Sequence, residues 1–179
     1  MTDAYIVGAV RSAGGKKNGR LSKIHPIDLG AEVVDALVAK IGVAVSEIDD
    51  LIFGCVSQVG AQSSNIARNI CLSSVLGEVV PGTTVDRQCG SGQQAMHFAA
   101  QGVLSGTQDL VIAGGVESMS QVPIGANIID GYKAEHGLPY GKKMAERYPG
   151  VQFNQFAGAE MLAHKYELTQ DELKIAPGR

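Results

Sequence analysis

The sequence is 179 residues long, has no tryptophan, only 5% aromatic residues, three cysteines and no excess of basic charge. Each scarcity excludes something. At a formal net charge of −3, the chain has no general positive field to attract nucleic acid or an anionic membrane. Any phosphate-bearing ligand must therefore be held by local groups. No apolar run approaches the roughly 20 residues that span a bilayer. The opening MTDAYIVGAVRSAGG shows neither a basic region ahead of an apolar stretch nor the Arg/Ser-rich pattern of a transit peptide. Cys55, Cys71 and Cys89 are odd in number and lack C-x-x-C spacing. That argues against a disulfide framework or a zinc site and for free thiols in a reducing compartment. The expectation is a cytoplasmic protein with no nucleic-acid partner, no membrane partner and no metal.

What is present is a hydrophobic fraction of 45%, mostly Ala, Val, Ile and Leu, and 23 glycines without a repeat, which implies many tight turns. Ala4–Val10 reads as a buried strand, followed by a Gly/Lys loop. Pro26–Ile41 carries apolar residues at helical spacing, with Pro26 suited to a first turn. LIFGCV within Asp50–Ser57 is short enough for a strand. Ser64 or Asn65 is placed to cap a helix through about Leu76, with Gly77 as its stop. TTVDRQ reads as a strand, Gly90–Leu104 as a helix ended by Ser105-Gly106, and Leu110–Ala113 as another buried strand. The repeated strand–loop–helix order predicts an α/β fold with a largely parallel sheet covered by helices.

Near Ser118 the character changes. SMSQVPIGANIIDGYKAEHGLPYGKKMAERYPGV, Ser118 to Val151, is rich in Pro, Gly and Tyr and has little periodicity, which predicts a long functional loop or an excursion of its own. A domain boundary is expected there, dividing 1–117 from 118–179. Gln155–Tyr166 reads as a further helix. Thr169 with Glu172 is a capping-box signature for one more, and that helix has hardly begun at Ile175-Ala-Pro-Gly-Arg179. The expectation is a truncated frame or a fragment.

Two glycine motifs need weighing. Gly14 and Gly19 have phosphate-loop separation, but Arg20-Leu21 stands where Lys and then Ser or Thr must follow, so a triphosphatase reading fails and a solvated basic loop remains. VDRQCGSGQQAM, Val85 to Met96, admits two chemistries. Gly90-Ser-Gly92-Gln-Gln-Ala95 between strand and helix is how a dinucleotide turn reads, with backbone amides available to pyrophosphate. That reading also wants an acid after the following strand. Asp109 precedes that strand, whereas Glu117 follows it.

The second chemistry belongs to Cys89. A thiolate is the nucleophile, and unpaired amides at a helix N-terminus favour negative charge there. Gly90 and Gly92 allow a carbonyl close approach, and the amide of Cys89 itself is positioned to help stabilise an oxyanion. Free cysteine is most often a buried small hydrophobe, the reading preferred for Cys55 and Cys71. A nucleophilic cysteine also needs a base. Eight residues of helix put His97 about 12 Å along the axis from Cys89. His25 reads as a helix-entry residue, His164 as solvated, and His136 lies in the long loop. The residues alone leave half a catalytic site.

These segments resemble the thiolases, the acyl-CoA C-acyltransferases. Val85 to Pro123 is similar to their acyl-cysteine segment and the strand after it. VGAVRSAGGKKNGRLSKIHPIDLGAEVV, NIARNICL and FNQFAGAEMLAHKYELTQDEL are similar to three further family segments, in order, over nearly the whole chain. The resemblance implies the N-terminal half of a layered αβαβα fold, with a mostly parallel, mixed sheet and, from 118, part of a loop subdomain that covers coenzyme A. It assigns Cys89 as acyl-thioester nucleophile and implies an acyl-CoA substrate, no permanently bound cofactor, a role in fatty acid metabolism, and homo-oligomers in the full-length form. Asn154 and Gln155 fall in the coenzyme A region, where short-chain members commonly have His-Met, which leans toward broader acyl specificity. Asp86, Gln93 and Ser12-Ala13 also depart from common family residues. A base histidine, a second acid/base cysteine and part of the oxyanion site are expected from a C-terminal domain absent here, so the chain alone is expected not to turn over.

Overall fold

The computed structural model describes residues 3–151 and 153–174. The chain divides into two compact units, Met1–Gly137 and Leu138–Arg179. Residues 118–137 thus group with the first unit, and the units part later than the 117/118 division expected from composition.

The first unit is built on three short parallel strands, β1 (Asp50–Gly54), β2 (Gly82–Val85) and β3 (Val111–Gly115), in the order β2-β1-β3. Leu51 lies opposite Gly82 and Ile112, and Gly54 opposite Val85 and Gly115, so all three strands end level. Parallel neighbours need crossovers, supplied here by the helices α2 (Ile66–Ser73), between β1 and β2, and α3 (Ser91–Ser105), between β2 and β3; α1 (Pro26–Ile41) precedes the sheet and packs against it. Alternation along β1 sorts the core into two. Leu51 and Phe53 pack with Val34 and Val38 of α1 and with Ile66 and Ile70 of α2, whereas Ile52 meets Ala95 and Ala99 of α3. Each large side chain buried this way contributes about 1.5–3 kcal/mol.

Local signals set the helix ends. His25 Nδ1 accepts from the amide of Ile27 at 3.3 Å, and Pro26 opens α1. Asn65, at φ 56°, accepts from the Arg68 amide at 3.2 Å and donates to the Gly82 carbonyl at 2.8 Å, capping α2 while joining it to β2. Helix α2 stops at Ser73 rather than near Leu76; there the Val75 amide donates to Asp35 Oδ1 at 2.8 Å instead of continuing the helix.

Two expectations need correction. Ala4–Val10 forms no strand: its backbone joins no ladder, and Tyr5 and Ile6 are 78% and 76% exposed. Apolar alternation gives a segment the capacity to pair, but a strand exists only against a partner. This one lies across a cavity of about 1330 Å³ whose other walls include β3 and side chains of α1 and α3. The segment 118–151 is not structureless either, since it holds the short helices α4 (Ala126–Lys133) and α5 (Lys142–Arg147).

In the second unit, Asn154 caps α6 (Gln155–Lys165), and Phe153 packs between Tyr140 and Tyr148 at ring separations of 5.9 and 5.5 Å. The Thr169 capping box is formed: its amide donates to Glu172 Oε2 at 2.8 Å and its hydroxyl accepts from the Glu172 amide at 3.3 Å, opening α7 (Gln170–Lys174). The ending Ile175–Arg179 lies outside the described residues. Among the described residues no helix is long and apolar enough to cross a membrane, and no group of three or more His, Cys, Asp or Glu is assembled for a metal ion.

Candidate active site

The level ends of the three strands make the platform for the site. Beyond β2 the chain turns sharply through Asp86–Gly90 before α3 begins. Asp86 Oδ1 accepts from the Gln88 amide at 2.8 Å, and Gln88 itself takes the left-handed conformation at φ 47°. For a non-glycine residue that costs about 1–3 kcal/mol and persists only where its surroundings hold it. Ser91, nearly fully buried, does the holding: its hydroxyl accepts from the Arg87 amide at 3.0 Å and donates to the Gln88 carbonyl. The Gly90 and Ser91 amides donate back to Arg87 and Gln88 carbonyls, both at 3.0 Å.

Cys89 sits at the apex of this turn with its side chain exposed. Among the described residues its amide donates to no carbonyl, so it remains available to an incoming oxygen. Cys55 and Cys71 are buried, as expected from their apolar settings. Burial pushes the Cys55 thiol up to about 12, helped by the negative charges of Glu117 and Asp86. Burial likewise raises the Cys71 thiol. Both favour the protonated, inert form, which leaves Cys89 as the exposed thiol.

The site depends on residues whose role the sequence reading missed. Gly54 lies directly beneath the start of α3: a Cβ added there would fall on Gly92 N and on the Ser91 carbonyl carbon, and within 2.7 Å of Ser91 O. Gly115 is similarly close, its added Cβ 3.0 Å from Gly54 O. By contrast a Cβ at Gly90 or Gly92 meets ordinary contacts, at 3.4 Å from Arg87 O and 3.9 Å from Gly114 O. The signal in the sequence was a glycine inside the apolar run LIFGCV, which marks close approach of another backbone.

Glu117 is also engaged. Its carboxylate accepts from the amides of Val56 at 2.7 Å and Ser57 at 3.2 Å and from Gln62 Nε2 at 2.8 Å. The acid that a dinucleotide ribose would require is thus already occupied by protein donors. No histidine takes part in the hydrogen bonds that build the Cys89 turn. His25 caps α1, His97 lies along α3, and His164 belongs to α6 in the second unit. In that unit Asn154 Oδ1 accepts from the amides of Phe156 at 2.8 Å and Ala157 at 3.3 Å, and Gln155 is the first residue of α6.

An exposed cysteine on a strained turn between a parallel strand and a helix suits acyl transfer. Residues 4–175 match the family description of the thiolase N-terminal domain. The chain belongs to the thiolase family. It is 44% identical over 176 residues to steroid 3-ketoacyl-CoA thiolase FadA6 of Mycobacterium tuberculosis, a match covering 97% of this chain and 43% of that one. It is 39% identical over 171 residues to the 3-ketoacyl-CoA thiolases of Acinetobacter baumannii and Acinetobacter baylyi, covering 95% of this chain and 41% of theirs. This thiolase chain therefore spans less than half the length of these curated relatives. The α/β architecture, with its parallel sheet between helices, is that of a thiolase N-terminal domain.

Proposed function

We propose that this chain carries the acyl-accepting nucleophile of a thiolase, at Cys89. The thiolate attacks the thioester carbonyl of an acyl-CoA; the new bond to Cys89 Sγ forms, the bond to the coenzyme A sulfur breaks, and coenzyme A leaves carrying the thiol proton. In condensation the α-carbon of a second acyl-CoA gives up a proton and takes the acyl group as the bond to Cys89 Sγ breaks, the Cys89 thiolate recovering that proton. In thiolysis Cys89 instead attacks the 3-oxo carbonyl of a 3-oxoacyl-CoA, and the bond between carbons 2 and 3 breaks with carbon 2 taking the thiol proton. The coenzyme A thiol then takes the acyl group and returns its proton to Cys89. The observation that carries this reading is the exposed Cys89 at the turn apex with its own amide unspent, so that thiol and oxyanion donor come from one residue. Family resemblance assigns the base histidine and second acid/base cysteine elsewhere in a thiolase. The chain alone is accordingly expected to acylate without turning over, since a nucleophile separated from its base loses several orders of magnitude.

Acyl-CoA is the substrate and no resident cofactor is required. The steroid substrate in the name of the mycobacterial relative, together with Asn154-Gln155 in place of His-Met, supports acyl groups larger than acetoacetyl. Residues 118–179, the last stretch of the first unit together with the second, are assigned to the coenzyme A-covering part of the family fold, with Asn154 and Gln155 as its contacts. A cytoplasmic location, a place in fatty acid metabolism and homo-oligomers of the full-length form belong to the same proposal. Intact mass after incubation with acetyl-CoA and octanoyl-CoA tests it: one acyl group per chain is expected, absent in Cys89→Ser. Acylation unchanged in Cys89→Ser would overturn the site.

A second reading, a non-catalytic partner of full-length thiolase subunits, draws on the open edge of β3 and the exposed Tyr5, Ile6 and Val7. Co-purification with a full-length subunit, with no acyl group on Cys89, would favour it.

A further inference from the structure

We propose that Glu117 is a positioning residue for Cys89, acting through the chain that leaves β1; the inference rests on the acyl-cysteine reading. Three strand exits meet beneath the turn, and backbone hydrogen bonds alone carry them only to their last ladder rung: Cys55 N donates to Val85 O and Val116 N to Gly54 O, each at 3.1 Å. Past that rung the Glu117 carboxylate takes over. The consecutive amides of Val56 and Ser57 point at it at 2.7 and 3.2 Å, a pair of donors suited to an anion. Gln62 completes the fastening from a fully buried position. Its Nε2 donates to Glu117 Oε1 at 2.8 Å and to Ser57 O at 3.0 Å, while its Oε1 accepts from the Ser118 amide at 2.6 Å.

The residues after Gly54 are thereby tied to the residues after Gly115. This matters for Cys89 because Gly54 is the floor on which Ser91 and Gly92 rest, with no side chain between the backbones. Ser91 in turn holds Arg87 and Gln88 on either side of the bend. A continuous series of contacts therefore runs from Glu117 to Val56 and Ser57, to Gly54, to Ser91 and to the turn bearing Cys89. A neutral glutamine at 117 would point an amide donor at donors and break the first link, although its shape is the same. Hydrogen bonds to a charged acceptor are about twice as strong as neutral ones, which suits a glutamate whose residue is otherwise exposed.

The test compares Glu117→Gln with the wild-type chain by hydrogen exchange, alkylation and acylation. Amide exchange is expected to rise about tenfold or more not only at Val56 and Ser57 but also at Arg87, Gly90 and Ser91, the order that loss of one charged hydrogen bond gives. Alkylation of Cys89 by iodoacetamide should stay within about twofold, because the thiol remains exposed, whereas acylation by acetyl-CoA should fall about tenfold or more, because it needs the aligned turn. Faster exchange confined to residues 56–62 and 117–118, with the Cys89 turn unchanged, would overturn the proposal. Should the wild-type chain take no acyl group, the acyl-cysteine reading fails, and the exchange comparison still decides whether Glu117 holds the turn. If Glu117→Gln does not fold, Glu117→Asp keeps the charge but is one methylene shorter; an intermediate rise at Arg87, Gly90 and Ser91 is expected, and no rise there refutes the role.

Discussion

Gly54→Ala is the most informative single change, because it adds one methyl group at a position where only backbone can give way. The new Cβ would meet Gly92 N and the Ser91 carbonyl group, and no flexible side chain is among its nearest neighbours. Restoring ordinary contact requires the start of α3 to withdraw from the sheet by roughly 1 Å, an overpacking that costs about 1–3 kcal/mol. Such a withdrawal draws Ser91 away from Arg87 and Gln88, so the strained Gln88 loses what holds it. A misplacement of about 1 Å at a reacting group lowers rate on the order of 100-fold. Thermal denaturation should therefore show a modest loss, and stopped-time mass spectrometry with acetyl-CoA a much larger loss of acylation at Cys89. Gly92→Ala is the control: its Cβ finds only Gly114 O at 3.9 Å, so stability should hold, and any change in acylation reports the approach of substrate. If Gly54→Ala acylates at the wild-type rate with unchanged stability, packing of the helix start on β1 does not position the nucleophile.

Three further outcomes are expected. Leu51→Ala, at a fully buried position in the core with α1 and α2, should destabilise by about 2–5 kcal/mol in urea titrations while leaving the Cys89 turn intact. Because the Cys55 thiol is raised from 9.0 to about 12 in the fold, the unfolded chain ionises first as pH rises; stability should fall from about pH 9 upward, and Cys55→Ala should flatten that alkaline limb in pH-dependent melts. Asn154→Ala removes the cap of α6 and should cost about 1 kcal/mol, seen as lost helicity; a parallel loss of acyl-CoA affinity would add a ligand contact to that capping role.

The parts of the fold legible in the sequence are those fixed by neighbours in the chain. Asn65, Pro26 and the Thr169–Glu172 box each act within four residues, so their helices begin where the pattern says. The apolar runs around Leu51 and Ile112 were short, β-branched and bounded, and they form the parallel strands. Ala4–Val10 had the same local character and failed, because a ladder requires a partner that its own residues do not specify. Helices α4 and α5 lie among Pro and Gly residues that mask the helical spacing of Ile128, Ile129 and Tyr132. The turn that carries the exposed Cys89 was legible because strand, glycines and helix surround it in sequence. Gly54 and Glu117 were not, since each matters for what it meets 37 or about 60 positions away, at Ser91 and at the Val56–Ser57 pair.

The central claim is that Cys89 forms an acyl thioester. The direct measurement is peptide mapping of the chain after brief exposure to an acyl-CoA, with hydroxylamine release to distinguish a thioester from an amide. The account predicts one hydroxylamine-labile acyl group on the peptide containing Cys89 and none on those containing Cys55 or Cys71. A stable acyl group on lysine, or labelling of Cys55 in preference to Cys89, would contradict it.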